Sequence, residues 1–273
     1  MRRALLGSIA ASAIVALAVV IFAAPVAVRG QVLDKSWKPA GPVPRMPDGK
    51  PDLSGAWWQG TEVAVQTLGL GSPRRGTPPP PAPGSTFASL YQPWAAAKAK
   101  TLSEKDDPAL RCIPSIDGPQ NSNIFQIMQS PTFVVLLQET YHGFRLIPTM
   151  PGRTHREDVA PALWGDSVGH WEGDTLVVDV TNFSDQNWIV AQGNVSFHSD
   201  ALHMVERYTR TAANALEVEK TYDDPRVLTR PFVQRTRTYA IAPFDQIMEA
   251  MCVNTETAAL MEAAAKENYG RKQ

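Results

Sequence analysis

The hexapeptide 198–203 carries the side chains best suited to chemistry, His198, Asp200 and His203. A neutral histidine can act as a general base near pH 7 and a carboxylate can orient it, so this set predicts acid–base catalysis. Imidazole and carboxylate are also metal ligands, but His198 and His203 are five positions apart and would face opposite sides of a straight strand. A bend in residues 194–200 would be needed to join them. We therefore predict a catalytic site without a metal or another cofactor.

A second group consists of aromatic residues that could stack on a ring-bearing ligand. We predict that they line a pocket for a small, mainly apolar molecule, and packing as ordinary barrel core is the alternative interpretation. Asp179 and Asp185 would be further acid–base groups if they were buried. The aromatic members of the group are Trp57, Trp164, Trp171, Phe183 and Trp188.

Arginines on predicted strands could hold an anionic group of a ligand in bidentate fashion. Arg207 is assigned to the ligand site on this ground, and the other arginines of this kind are Arg145, Arg235 and Arg237. Cross-strand ion pairs are the alternative; their acidic partners would be Glu206, Glu217 and Glu219. The sequence His-Arg-Glu-Asp at 155–158 is interpreted as a solvated loop.

Several common catalytic motifs are absent from the sequence. It contains no Gly-rich phosphate loop, Gly-x-Ser-x-Gly elbow, His-Glu-x-x-His helix or Ser-x-x-Lys motif. Their absence argues against the common nucleotide-binding, hydrolase, zinc-protease and lactamase classes.

The elements that must position these residues are short β-strands. After about residue 121 the chain has segments of strand-like length and composition, separated by turn residues. These are Ile124–Met128, Thr132–Glu139, His142–Pro148, Ser167–Glu172, Thr175–Thr181, Leu202–Arg210, Leu216–Tyr222 and Phe232–Ile241. The sequence Glu172-Gly173-Asp174 is the clearest hairpin turn. Successive hairpins predict an antiparallel meander that closes into a barrel of about eight to ten strands.

Residues 31–121 differ from this pattern because they are rich in proline and glycine. Proline lacks a backbone donor, so we predict an irregular extension that wraps the barrel domain of residues 122–273. Disorder is predicted for Gly71–Ser85, and alanine-rich sequences predict helices at Ser89–Lys100 and, outside the barrel, at Glu256–Asn268.

The N-terminus predicts export from the cytoplasm. Met1-Arg2-Arg3 precedes an apolar run from Ala4 to Val28, the pattern of a signal peptide covering residues 1–30. A retained membrane anchor is the alternative, since about 20 apolar residues span a bilayer. Cleavage would change 26 basic and 27 acidic residues to 23 and 27, a formal net charge of −4 instead of −1. We therefore expect a periplasmic or secreted protein, a monomer or small homo-oligomer, that does not bind nucleic acid and contacts membranes only through a retained anchor.

Two cysteines, Cys112 and Cys252, lie far apart in the sequence. Neither belongs to a Cys-x-x-Cys redox motif, a haem-attachment motif or a zinc pattern. In an oxidising compartment they predict one structural disulfide that ties the extension to the end of the fold, and two free thiols are the alternative.

Three motifs together resemble a large group of secreted bacterial proteins. These are Pro-Asp-Leu-Ser-Gly-Ala-Trp at 51–57, Trp-Glu-Gly-Asp-Thr-Leu-Val-Val-Asp at 171–179 and His-Ser-Asp-Ala-Leu-His at 198–203. The resemblance covers most of the chain after residue 30 and implies export and a lipocalin-like β fold, without an activity. The sequence departs from the group at Asn182, where a Thr-x-Gly-Phe-like turn is expected.

Three functions fit these features. The first is a cofactor-independent isomerase or lyase that uses His198, Asp200 and His203 on a small-molecule substrate. The second is a protein that binds such a molecule without turnover. The third is an envelope interaction protein that engages a partner through its proline-rich segment.

Overall fold

Alternation of apolar and polar residues produces ten strands in the computed structural model, which describes residues 37–58, 86–117, 124–139, 141, 143–190, 195–234 and 236–248. The strands are β1 (Gly55–Trp58), β2 (Phe125–Gln129), β3 (Phe133–Gln138), β4 (Phe144–Pro148), β5 (Asp166–Glu172), β6 (Thr175–Thr181), β7 (His203–Ala212), β8 (Ala215–Asp223), β9 (Phe232–Val233) and β10 (Arg237–Ile241). The predicted bounds of β6 are those observed, and the predicted strand Phe232–Ile241 is divided into β9 and β10.

All strand pairs are antiparallel, in the order β4-β3-β2-β1-β10-β8-β7-β6-β5, with the short β9 beside β8. The two ends of this order approach each other. A Cβ at Gly169 of β5 would lie 2.9 Å from the side chain of Ile147 of β4, which only glycine permits. The sheet therefore forms a nearly closed barrel, and the predicted mainly-β antiparallel barrel of eight to ten strands is confirmed. We call the line where β4 meets β5 the seam.

β1 lies in the middle of the strand order, between β2 and β10. It comes from the proline-rich region that the sequence prediction placed outside the barrel domain. Its Trp57 is fully buried, donates from Nε1 to the Leu53 carbonyl oxygen at 2.9 Å, and lies under the Arg210 guanidinium of β7, 5.0 Å from the ring centroid. Arg210 pairs with Leu216, near the beginning of β8, so this contact fills the part of the barrel interior that lies next to that end of β8.

Residues 86–117 pack beside the barrel as short helical turns. They form 3-10 turns at Phe87–Leu90, Glu104–Asp106 and Pro108–Arg111 and one α-helix, α1 (Pro93–Ala99). Helix α1 thus covers the C-terminal part of the predicted helix Ser89–Lys100, and Ser89 and Leu90 belong to the preceding 3-10 turn. Phe87 makes edge-on contacts with Tyr222 and Phe232. Within the described ranges, no helix is long and apolar enough to cross a membrane.

Four sequence predictions lie outside the described residues. They are the signal peptide 1–30, the disordered segment Gly71–Ser85, the C-terminal helix Glu256–Asn268 and, through Cys252, the disulfide with Cys112. They stay predictions.

Candidate functional site

The interior of the barrel holds a cluster of charged side chains. Arg145 points inward from β4 and pairs with Glu206, which points inward from β7. These strands are not neighbours in the sheet, so the pair crosses the interior. The Nζ of Lys220 on β8 lies 3.2 Å from the other oxygen of Glu206. The Glu206 side chain is 1% exposed and that of Arg145 is 8% exposed, so both charges are removed from water.

Asp117 completes this cluster from outside the sheet. The backbone N–H of Asp117 donates to the Ile189 carbonyl oxygen at 2.8 Å, which fixes the end of the segment 86–117. The carboxylate lies 2.6 Å from Lys220 Nζ and 3.0 Å from Arg237 Nη2, and it accepts from Gln234 Nε2 at 2.7 Å. We call Asp117, Arg145, Glu206, Lys220 and Arg237 the interior charge cluster.

The cations of the cluster keep its acids ionised. Burial alone would raise the pKa of Asp117, but Lys220 and Arg237 outweigh it and lower that pKa to about 2. Burial also opposes ionisation of Glu206, and Arg145 and Lys220 hold its pKa below the ordinary value. The cluster contains three cations and two carboxylates, and therefore carries an excess of one positive charge.

Tyrosines surround the interior charge cluster. Burial raises the pKa of Tyr222 well above its ordinary value, as does the nearby Asp117, so its hydroxyl stays protonated. Burial and the nearby Glu206 also raise the pKa of Tyr208. The ring of Tyr239 meets Phe125 edge-on at 4.9 Å. The interior next to the charges is therefore aromatic.

Two buried polar atoms in this region have no hydrogen-bond partner among the described residues. They are the hydroxyl of Tyr222, a residue with no exposed surface, and Nε of Arg145. The Arg145 and Tyr222 side chains are close enough to interact electrostatically. The Oε1 of Gln234, whose Nε2 binds Asp117, is a third such atom. Most buried polar groups in proteins are hydrogen-bonded, so these three atoms are candidates for contact with a bound polar group. Four more buried polar atoms also have no partner among the described residues: Trp58 Nε1, Ser115 Oγ, Thr149 Oγ1 and Ser167 Oγ.

A second cluster lies on the outer surface of the barrel. Asp179 of β6 faces outward and accepts from two imidazoles: one oxygen lies 2.7 Å from Nε2 of His155, the other 2.7 Å from Nε2 of His203. Side-chain exposure is 38% for Asp179 and 42% for His203, so solvent reaches this cluster. The Nδ1 of His203 has no hydrogen-bond partner in the described part of the chain.

Asp166, the first residue of β5, fixes the loop that carries His155. It lies 3.0 Å from His155 Nδ1 and accepts from the backbone N–H of Arg156 at 3.1 Å and from Arg156 Nε at 2.6 Å. Burial alone would raise the pKa of Asp166, but the hydrogen bonds from Arg156 and His155 lower it. Both nitrogens of His155 thus face carboxylates, and only the doubly protonated ring can donate to both.

His198 lies in a different environment from His203. It is 3% exposed, and its ring nitrogens lie 2.9 Å from the Ser199 carbonyl oxygen and 3.0 Å from Asn187 Oδ1. Burial lowers the pKa of His198, so the ring is neutral and can donate to only one of these acceptors. The buried Asn187 donates in turn to the carbonyl oxygens of Pro114 and Leu163, at 2.8 and 2.9 Å. These contacts join three chain segments.

The structure does not bring the remaining predicted catalytic residue to the outer cluster. Asp200 pairs with Arg226, and both side chains are more than 60% exposed. Among the described residues, no hydrogen bond or ion pair joins His198 or Asp200 to His203; His203 has Asp179 as its carboxylate partner instead. Of the three predicted catalytic residues, His198 is therefore buried, whereas Asp200 and His203 are open to solvent.

The predicted ligand-binding residues are also dispersed. Trp57 and Trp171 point into the barrel, whereas Arg207 faces outward and pairs with Glu172 at 2.8 Å. Phe183 and Trp188 belong to the buried core beside His198 and Phe197. Trp164 donates to the Ser115 carbonyl oxygen at 3.1 Å.

Sequence reasoning missed His155 and Asp117 and gave only a weak signal for Arg145 and Glu206. His155 was assigned to a solvated loop, because its partners Asp166 and Asp179 lie 11 and 24 positions away. The sequence signal for the interior pair was the alternation of side chains along the strands, which places Arg145 and Glu206 at inward positions. Arg145 lies between two exposed residues on β4, and Glu206 alternates with partly exposed residues on β7. A charge at an inward position needs a partner.

No group of three or more His, Cys, Asp or Glu side chains within the described ranges is arranged to hold a metal ion. A surface depression of about 470 Å³ lies beside α1, where Gln92, Asp223, Leu228 and Arg230 are among its lining residues. Comparison of the chain with protein-family models, curated proteins and solved structures found no match.

Proposed function

We propose that this protein is a lipocalin-like binding protein that holds a small, ring-bearing molecule inside the barrel, with an acidic or hydrogen-bonding group at Arg145, Lys220 and Tyr222. The observation that carries the proposal is the pair of buried atoms, Tyr222 Oη and Arg145 Nε, which have no hydrogen-bond partner among the described residues and lie near an excess positive charge. A carboxylate or phenolate oxygen would accept from both atoms and balance the charge.

The energetics favour a binding role over a purely structural one. Burying a charge is costly, and replacing buried ion pairs by well-packed apolar residues is often neutral or stabilising. A network kept only for stability would also be expected to satisfy its own hydroxyl and guanidinium groups, since a partly satisfied network is costlier than an apolar core. A bound anion supplies the missing acceptor.

The aromatic residues beside the charges support a ring in the ligand. Tyr208, Tyr222 and Tyr239 point inward from three strands, and Phe125 packs on Tyr239. Aromatic rings stack on other rings with offset or edge-on geometry. The proposed ligand thus has the ring that the sequence analysis predicted. It also has a polar end, whereas the sequence analysis predicted a mainly apolar molecule. With the predicted signal peptide, binding would take place outside the cytoplasm.

The test is titration calorimetry of the full chain with 2-naphthoate, a ring-bearing anion, against its neutral methyl ester. We expect the carboxylate to bind and the ester to bind at least about tenfold more weakly, since a hydrogen bond to a charged group contributes about 1.5–3 kcal/mol. Equal affinities for the two compounds, or binding of neither, would contradict the proposal.

Tyr222→Phe sharpens this test because, within the described part of the chain, the Tyr222 hydroxyl has no hydrogen bond to lose. We expect the variant to be as stable as the parent chain or more stable, but to bind 2-naphthoate more weakly. The matched control is Tyr91→Phe, whose hydroxyl donates to the Phe197 carbonyl oxygen at 2.9 Å outside the barrel. It should lose about 1 kcal/mol of stability and keep the parent affinity. If Tyr222→Phe binds 2-naphthoate with the parent affinity, the Tyr222 hydroxyl does not contact the ligand.

A second candidate function, acid–base catalysis, is favoured by the outer cluster. Asp179 fixes His203 through Nε2, which leaves Nδ1 exposed as a proton acceptor; a carboxylate that sets the tautomer in this way is the partner a histidine base requires. An isomerase would use Nδ1 to take a proton from carbon next to a carbonyl group and return it at another position.

Deuterium exchange tests this candidate without knowledge of the substrate. In D₂O, the α-protons of 2-tetralone should exchange faster with the protein than without it, and His203→Gln should abolish the difference. His170→Gln is the matched control, because His170 is an exposed histidine of the same outer surface that lies 3.2 Å from Glu172. Equal loss in both variants would point to nonspecific surface catalysis.

A further inference from the structure

The outer face of β2–β4 is apolar, unlike that of β5–β8. No charged residue occupies an outward position on these strands. The strand register places the apolar residues side by side: Met128 opposes Val135, Val135 opposes Leu146 and Leu137 opposes Phe144. Phe144 is 66% exposed and Leu146 53% exposed. We call this surface the apolar outer face; it consists of Met128, Phe133, Val135, Leu137, Phe144, Leu146 and Met150. Soluble proteins rarely leave a contiguous patch of this kind uncovered.

The chain after β10 runs outside the barrel toward this face. The Ala242 N–H donates to the Ala56 carbonyl oxygen of β1, the Asp245 carbonyl oxygen accepts from Gln126 of β2, and the Met248 N–H donates to Glu139 just after β3. Residues 242–248 therefore cross three strands in order. The described chain ends beside the apolar outer face.

The same segment already covers the neighbouring apolar surface. Ala56, Trp58 and Ala240 form a small cluster on the outside of β1 and β10, and Phe244 packs on it, 6.1 Å from the Trp58 ring. The next strands in that direction are β2, β3 and β4. Continued coverage by the following residues would bury the apolar outer face.

The sequence of residues 249–273 has the composition for this role. If Glu256–Asn268 is helical, Leu260, Met261, Ala264 and Ala265 share one side, and Glu256, Glu262, Lys266 and Glu267 share the other. Thirteen residues of helix extend about 20 Å, close to the length of about 17 Å of five-residue strands. We propose that residues 249–273 of the same chain cover the apolar outer face with this helix.

The predicted disulfide fits this placement. Cys252 is four residues beyond Met248, which bonds to Glu139. Cys112 follows the turn Pro108–Arg111, and the neighbouring Asp107 interacts electrostatically with Tyr141, between β3 and β4. Met248 and Asp107, described residues four and five positions from the two cysteines, thus both lie near the β3–β4 connection. A bond between the two cysteines would fix the segment at one end of the apolar outer face, from which the helix can run along the strands.

Photo-crosslinking in the full chain tests the proposal. A benzoylphenylalanine replaces the exposed Leu146, and the matched control carries it at the exposed Glu219 on the outside of β8. Equal amounts of ¹⁵N-labelled and unlabelled chains are mixed before irradiation, and the linked peptides are identified by mass spectrometry. We expect position 146 to link to residues 256–268 of its own chain and position 219 to give no such link.

Other results would overturn the proposal in distinct ways. Links from position 146 that mix the two labels would show that a second copy occupies the face. Absence of any link to 249–273, with folded protein by circular dichroism, would show that the segment lies elsewhere. Leu260→Asp should abolish the link from position 146 and Glu262→Gln should retain it; a link that survives Leu260→Asp contradicts the helix face.

Peptide mapping without reduction should give a linked Cys112–Cys252 pair, and two free thiols would refute the anchor.

Discussion

The interior charge cluster and the apolar outer face both depart from the usual distribution of polarity. The cluster places five charged side chains in a mainly apolar interior, with Glu206 1% exposed, whereas Phe144 on the outer face is 66% exposed. The outside of β5–β8 is different from both, because its outward residues include Asp179, Arg207 and Glu219. The comparison teaches that the outside of β5–β8 follows the ordinary alternation and that two regions depart from it; for these we propose a ligand inside and a chain segment outside.

The largest expected effect is loss of one charge inside the barrel. Glu206→Leu leaves Arg145 buried without its carboxylate and should lower the free energy of unfolding by about 3–5 kcal/mol in urea denaturation. Adding Arg145→Leu should restore most of that loss, because no unpaired charge then remains. The control Glu219→Leu, on the outside of β8, should change stability by less than about 0.5 kcal/mol. Equal losses in the single and double variants would show that desolvated charge is not the cause.

Acid should affect the interior next most strongly. The pKa of Asp117 is about 2 in the folded chain against an ordinary value of 3.8, so its ionised form favours folding at any pH above the ordinary value. As the pH falls from 4 to 2, that contribution is lost and the free energy of unfolding should decrease by about 2 kcal/mol for this group. Urea denaturation at both pH values measures the decrease. In Asp117→Asn the decrease should be smaller; an identical decrease would assign it to other carboxylates.

A smaller effect is expected on the apolar outer face. Leu146→Ala should lower the free energy of unfolding of the full chain by about 1–2 kcal/mol, because a covered leucine contributes apolar burial. Val233→Ala is the control, since Val233 is 67% exposed on the short β9 and should cost less than about 0.5 kcal/mol. If the two substitutions lower the free energy of unfolding equally, no chain segment covers the outer face. The outer face and the interior would then differ only in the residues they contain.

The smallest effect is expected at the outer cluster. His203→Gln removes one hydrogen bond to the half-exposed Asp179, and exposed ion pairs contribute about 0.2–1 kcal/mol. His198→Gln should cost more in the same urea experiment, because its buried ring joins Asn187 to the chain at Ser199. Reversal of this order would mean that the outer cluster, and not the buried histidine, stabilises the fold.

The sequence was sufficient for the barrel because local patterns determine its strands. The alternation and turn residues at 172–174 specified the β5–β6 hairpin, and the observed bounds of β6 agree. The strand β1 was harder, since it has only four residues among prolines. At Asn182, where the resemblance noted from the sequence leads us to expect glycine, the backbone has φ 56°, a conformation that asparagine tolerates better than most residues.

The sites were less predictable because long-range packing makes them. The motif 198–203 predicted Asp200 as the carboxylate beside His203, but the carboxylate that contacts His203 is Asp179 of β6, 24 positions earlier. His198 is in the same motif, and its burial depends on contacts with Asn187 that no spacing rule reveals. Asp117 reaches the interior through a backbone bond to Ile189, 72 positions along the chain, so pattern analysis of either segment alone does not find it.

The ion pair between Arg145 and Glu206 also acts across the seam. Arg145 is on β4, which borders the seam, and Glu206 is on β7, two strands beyond β5 on the other side. The proposed ligand would contact Arg145 through Nε and leave the bond from Nη2 to Glu206 in place, so its binding would reinforce this tie. The amide hydrogens of β4 and β5 would then exchange with solvent more slowly when the interior is occupied than when it is empty.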